Sequence, residues 1–222
     1  MAESPAFKIF NNTYNRGYSM ITKSVKILKL LESLPADPTV AQYNKSTYSS
    51  ESGRAGIVTV VAAFDNYFTS RFSECVTPIL KKEGPTEGLI ELLDMAGLDL
   101  KGALELLHMQ RPHRRIRNLV DNHFSEYTTQ KFHVIDNLFL SIGLKDFTSN
   151  VEKKAKRSTL NVSIQKLIRR RHVIVHCGDI NTHGKIRKID PYDTKKRMQN
   201  IKLFVTKAEE LISSRMKKRK KT

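Results

Sequence analysis

Tryptophan is absent from the 222 residues, so no indole anchor or cage can organise a binding site. Cysteine is nearly absent. Cys75 and Cys177 cannot make a disulfide framework in a chain of this length, and each lies in an apolar pattern that predicts a reduced, buried thiol. Long hydrophobic runs are missing too. The longest, around Gly56–Phe64, falls far short of a bilayer span, and the first residues carry no basic stretch leading into an apolar one. The chain therefore reads as cytoplasmic, with no membrane partner. Acidic residues are scarce: 22 against 39 Lys and Arg, for a net charge of +17 and a pI near 9.9. A field of that sign draws in polyanions, which makes nucleic acid the first partner to expect, ahead of an anionic membrane surface.

What remains is helical in pattern. Apolar residues recur at helical spacing from Phe7 to Leu34, where Pro35 and Pro38 stop the run. Asp37 to Ser50 is polar and predicts a loop. Glu51 to Leu80 predicts a helix capped by Ser50 or Ser52, with Ile57, Val60, Val61, Phe64, Phe68 and Phe72 as its apolar stripe. Asp65 and Asn66 sit among these aromatics, suited either to orienting a site or to capping a neighbouring helix. Pro78, Gly84, Pro85 and Gly88 predict a break. Two short, Leu-rich and acidic helices split at Gly97 follow, then an arginine-rich segment from Gln110 to Asn118. Thr128 to Ile142 predicts a helix capped by Thr128 or Thr129, and Asn150 to His176 a long charged one. Thr182–Lys185 predicts a turn. Asp190-Pro191 opens a last helix through Met216, and a run of lysine and arginine ends the chain. The expectation is one all-α domain over 1–216 with a basic tail over 217–222.

The chemistry concentrates in Leu167–Asp179, where Arg169, Arg170 and Arg171 lead into an apolar segment bracketed by His172 and His176. From Glu152 to Lys188 there are eleven Lys and Arg against two acids. An imidazole can take a proton from a 2′-hydroxyl or give one to a leaving 5′-oxygen. A guanidinium, always charged and forked, suits a phosphorane. On a continuous helix His172 and His176 share a face, while Arg171 and His176 lie about 140° apart. His172, His176, Cys177, Asp179 and His183 also offer donors for zinc. Three adjacent arginines repel a dication, so no metal ligand and no cofactor is expected.

Arg171, His172 and His176, an arginine followed by a polar residue and then a histidine after four positions, resemble the signature of the HEPN domain family. The run is similar in particular to the RiboL-PSP-HEPN and MAE_28990-like branch. The resemblance implies a HEPN-like helical bundle with additional helices. It also implies a metal-independent endoribonuclease whose site forms where two protomers of a homodimer meet. Arg171 and His176 would then be catalytic, with His172 in support. Arg169, Arg170, Lys166, Lys185, Arg187 and Lys188 would hold RNA. It points further to a toxin or phage-defence setting, with an antitoxin or sensor protein as partner. The alternative is a HEPN module that binds nucleic acid or dimerises without cleaving.

Overall fold

The computed structural model describes residues 3–33, 45–125 and 129–217. Described residues form helices α1 (Pro5–Ser33), α2 (Lys45–Glu83), α3 (Glu87–Met95), α4 (Leu100–Leu106) and α5 (Pro112–Ser125). They continue with α6 (Phe132–Leu140), α7 (Phe147–Lys154), α8 (Leu160–Cys177) and α9 (Pro191–Lys217). The fold is all-α, and the one β feature among the described residues is an isolated antiparallel bridge between Ile180 and Ile186. No helix among them is long and apolar enough to cross a membrane.

Sequence pattern expects one domain over 1–216. The chain divides into two compact units, each drawn from segments far apart in sequence: 1–8, 65–156 and 206–222 in one, 9–64 and 157–205 in the other. The first unit packs around aromatic rings. Phe139 stacks on Phe147 at 4.4 Å, and Phe72 meets Phe124 edge-on at 5.6 Å. Beside them Glu209 is buried, accepting from the Tyr67 hydroxyl and from Arg71 at 2.9 Å each. Burial and this carboxylate push the Tyr67 phenol well above its ordinary pKa.

The second unit is organised where α1 crosses α2. A Cβ on Gly17 would come within 2.9 Å of the Gly56 carbonyl, and one on Gly56 within 2.8 Å of the Gly17 carbonyl. Only residues without a side chain let two helix backbones approach that closely. Ile21, Ile57, Val60 and Val61 are buried in this unit, together with Ile164 and Leu167 of α8 and Met198 and Ile201 of α9.

Several boundaries move. Helix α2 starts at Lys45, inside the expected loop, and runs through Pro78. Proline forfeits one backbone bond, but the buried Phe72, Cys75, Val76 and Ile79 around it keep the helix in place. Ser52 does not cap that helix; its hydroxyl donates to the Met20 carbonyl at 3.2 Å. Thr129 is no helix cap either. Its backbone N–H and hydroxyl both donate to the Asp65 carboxylate, at 2.5 and 2.7 Å, which pins the approach to α6 and gives Asp65 a structural task. The long helix expected from Asn150 to His176 is two helices, α7 and α8. Lys156 between them takes a left-handed conformation at φ 52° that a continuing helix does not allow. Cys177 is exposed, against expectation, because it is the last residue of α8 and the chain turns away at Gly178. The predicted stop at Pro35 and Pro38, the cap at Thr128, and the tail beyond Lys217 lie outside the described residues.

Candidate nucleic-acid interface and histidine pair

Helix α8 forms because Leu160, Ile164 and Leu167 place one apolar stripe inward at helical spacing. It ends at Gly178, whose φ of 58° lets its N–H turn back to the Val173 carbonyl. The helix is unbroken through the whole motif, and that fixes which side chains meet. His172 and His176 are both exposed, one turn apart, with ring centroids 4.5 Å from each other. Arg169, three residues before His172 and also exposed, shares that outer face. Arg171 does not. It is half-buried on the inner side, with its Nε enclosed and without a hydrogen-bond partner among the described residues.

Arg170, expected to hold RNA, is bound within the protein. Its Nη2 donates to Asp179 Oδ2 at 2.7 Å and to the Arg187 and Lys188 carbonyls at 3.2 and 3.1 Å. Burial lowers its pKa from the ordinary guanidinium value, with Asp179 opposing and the Arg54 and Arg187 charges adding to the effect. Asp179 is fully buried and also accepts from Arg54 Nε at 2.8 Å. Arg54 reaches on to the Arg187 carbonyl at 2.6 Å and to Glu51 at 2.8 Å. Two guanidinium groups thus close on one carboxylate and tie the 179–188 turn to α2 and α8. The turn itself follows its sequence: Asn181 Oδ1 accepts from the His183 and Lys185 amides at 2.9 Å each, and Gly184 takes φ 71°.

With its carboxylate turned into Arg54 and Arg170, Asp179 does not join the histidines as a ligand. No group of three or more His, Cys, Asp and Glu suited to a metal occurs among the described residues.

The remaining basic residues are partly gathered. Lys166, Arg170 and Lys188 line one hollow of about 290 Å³ with Asp190, Asp193 and Arg197. An adjoining hollow of about 380 Å³ shares Lys166, Asp193 and Arg197 and adds Arg157 and Lys196. Its floor is polar, since Asn200 accepts from Arg157 and donates to the Ser163 hydroxyl at 2.7 Å. Arg169, Lys185 and Arg187 are exposed outside these hollows. Motif spacing passes over Arg157, Lys196 and Arg197, which come from the turn before α8 and from α9, so only packing makes them neighbours of Lys166. It passes over Arg54 too. An arginine at the edge of the Ala55–Val61 apolar run does announce a buried partner.

No family model matches the chain, and no curated protein or solved structure matches it, so its likeness to the HEPN family rests on the run from Arg171 to His176.

Proposed function

We propose that the protein is a metal-independent endoribonuclease of HEPN type, acting in the cytoplasm on RNA. The observation that carries this reading is the exposed His172–His176 pair at 4.5 Å, beside Arg169, on the same helix whose Lys166 and Arg170 line a basic hollow. Two adjacent imidazoles supply what in-line cleavage of RNA needs. One takes the proton of the 2′-hydroxyl as it attacks phosphorus, and the other gives a proton to the departing 5′-oxygen. The products are a 2′,3′-cyclic phosphate and a 5′-hydroxyl. Within one protomer the guanidinium placed to face the phosphate is that of Arg169, while Arg171 lies behind the helix. Val175, next to His176 in the chain, and Ile180 and Ile186 of the turn that follows are exposed and offer apolar surface on which a second protomer can close. This supports a homodimer with a composite site. A role as a toxin or phage-defence effector, held by an antitoxin or sensor protein, follows from the family likeness.

The inward position of Arg171 favours a second reading, a HEPN module that binds nucleic acid without cutting it. A substrate with one 2′-deoxy nucleotide 5′ to the scissile phosphate, run with and without EDTA, separates the possibilities. The proposal expects cleavage blocked by the deoxy sugar, indifferent to EDTA and lost in His176→Ala. Cleavage of the deoxy substrate, or cleavage that needs a divalent ion, overturns it. RNA bound and left intact by the unaltered protein establishes the second reading.

A further inference from the structure

Fifteen large hydrophobic side chains are exposed among the described residues, and six of them, including Met95, Leu100 and Leu107, fall between positions 87 and 109. That stretch carries five carboxylates against the single Lys101, a net charge of −4 inside a chain of +17. Its clearest feature is a groove of about 680 Å³ between α3 and the end of α6. Gly88 lets the helices meet, for a Cβ there would stand 3.3 Å from the Ser141 Cα. Glu87, Glu91 and Met95 follow one another along one wall at four-residue spacing, and Leu140 stands on the other. No basic side chain lines the groove, and neither Glu87 nor Glu91 has an ion-pair partner among the described residues. Such a face repels RNA and anionic lipid and suits a basic, apolar helix.

The chain itself carries such a helix. In the second half of α1, Lys23, Lys26, Ile27 and Leu30 fall on one continuous, exposed face, with both lysines unpaired among the described residues. Ile27 and Leu30 match Met95 and Leu140, and Lys23 and Lys26 match Glu87 and Glu91, in kind and in number. Both apolar pairs are open to solvent. We propose that the α3–α6 groove receives the α1 face of a second copy of this chain. In the head-to-tail arrangement proposed, each copy gives its groove to one neighbour and its helix to another, which builds rings or filaments. A two-fold dimer about His176 stops at two. The proposal therefore stands or falls independently of the nuclease reading.

Sedimentation velocity across a concentration series tests it, with charge-swapped variants of the full chain. One carries Glu87→Lys and Glu91→Lys; the other carries Lys23→Glu and Lys26→Glu. The unaltered protein should form species beyond a dimer that grow with concentration and shrink with salt. Each double variant alone should associate about tenfold or more weakly, because like charges then face each other. Mixing the two variants should restore salt-sensitive assembly with the two kinds of copy alternating, since each variant's groove then meets the other's oppositely charged helix. Unchanged melting curves check that both variants fold; if either is unfolded, the milder Met95→Ser and Leu30→Ser variants must each weaken association. No growth beyond a dimer in the unaltered protein, or double variants that assemble as it does, overturns the proposal. So does a mixture that regains nothing.

Discussion

Two buried carboxylates, one in each unit, are held by arginine in different ways. Glu209 sits within a helix–helix contact, and both of its oxygens are used: Oε2 by Tyr67 and Arg71, Oε1 by Ser213 at 3.0 Å. Asp179 sits at the end of the histidine helix. Its Oδ2 takes Arg54 and Arg170, while its buried Oδ1 has no partner among the described residues. It also holds a left-handed backbone at φ 59°, which aspartate tolerates better than most residues. One network knits regular helices together. The other accepts an unsatisfied oxygen and backbone strain to hold an irregular turn beside the candidate site. Buried charge therefore contributes packing in one unit and fixes a loop in the other.

Each network has a cysteine that reports on it. Cys75 lies 3.6 Å from Arg71, and burial pushes its thiol up to about 12 despite that positive neighbour. At pH 8 only about one such thiol in ten thousand is ionised. Cys177 is exposed two residues before Asp179. A disulfide reagent should therefore label one cysteine per folded chain at once and the second only on unfolding. Rapid labelling of both would mean that the Arg71–Glu209 region is open.

The next largest effect separates the carboxylates themselves. Asp179→Ala takes from Arg170 its ion-pair partner among the described residues, leaves Arg54 with the exposed Glu51 alone, and should cost about 3–5 kcal/mol. Glu209→Ala leaves Arg71 with Glu74 at 3.3 Å and should cost about 1.5–3 kcal/mol. Urea midpoints at constant m-value measure both, and the reverse order would break the comparison. Hydrogen exchange sharpens it. The Arg187 amide, which donates to the Asp179 carbonyl at 2.8 Å, should lose protection in Asp179→Ala and keep it in Glu209→Ala.

Smaller effects follow from single contacts. Gly17→Val forces apart the α1–α2 crossing on which the Asp179 unit rests, at about 1–3 kcal/mol, read as a lowered melting temperature. Tyr67→Phe removes one hydrogen bond to Glu209, which still keeps Arg71 and Ser213. It should cost about 0.5–1.5 kcal/mol in the same melts. A loss as large as that of Glu209→Ala would show that the phenol, not the arginine, holds the carboxylate.

Much of this was legible in the chain. The stripe Ile57, Val60, Val61, Phe64, Phe68 and Phe72 is fully buried, Gly97 separates α3 from α4, and Asp190 opens α9 by accepting from the Tyr192 amide at 2.8 Å. The pairing of His172 with His176 follows from four-residue spacing alone. Expectations failed where a distant residue outvoted a local signal. Pro78 reads as a breaker until the buried side chains around it hold the helix. Thr129 reads as a cap until Asp65 claims it.

The sequence by itself determined the helical class, the charge, the histidine pair and the end of the motif helix at Gly178, because each depends on residues within a few positions of one another. Tertiary structure decided what the three arginines do. Arg169 stays in solvent, Arg170 closes on Asp179 with Arg54 from 125 positions away, and Arg171 turns inward. Helical periodicity assigns each a direction but cannot say what stands there. A buried guanidinium takes whichever anion the fold brings within reach, and that anion's address in the sequence is set by packing alone.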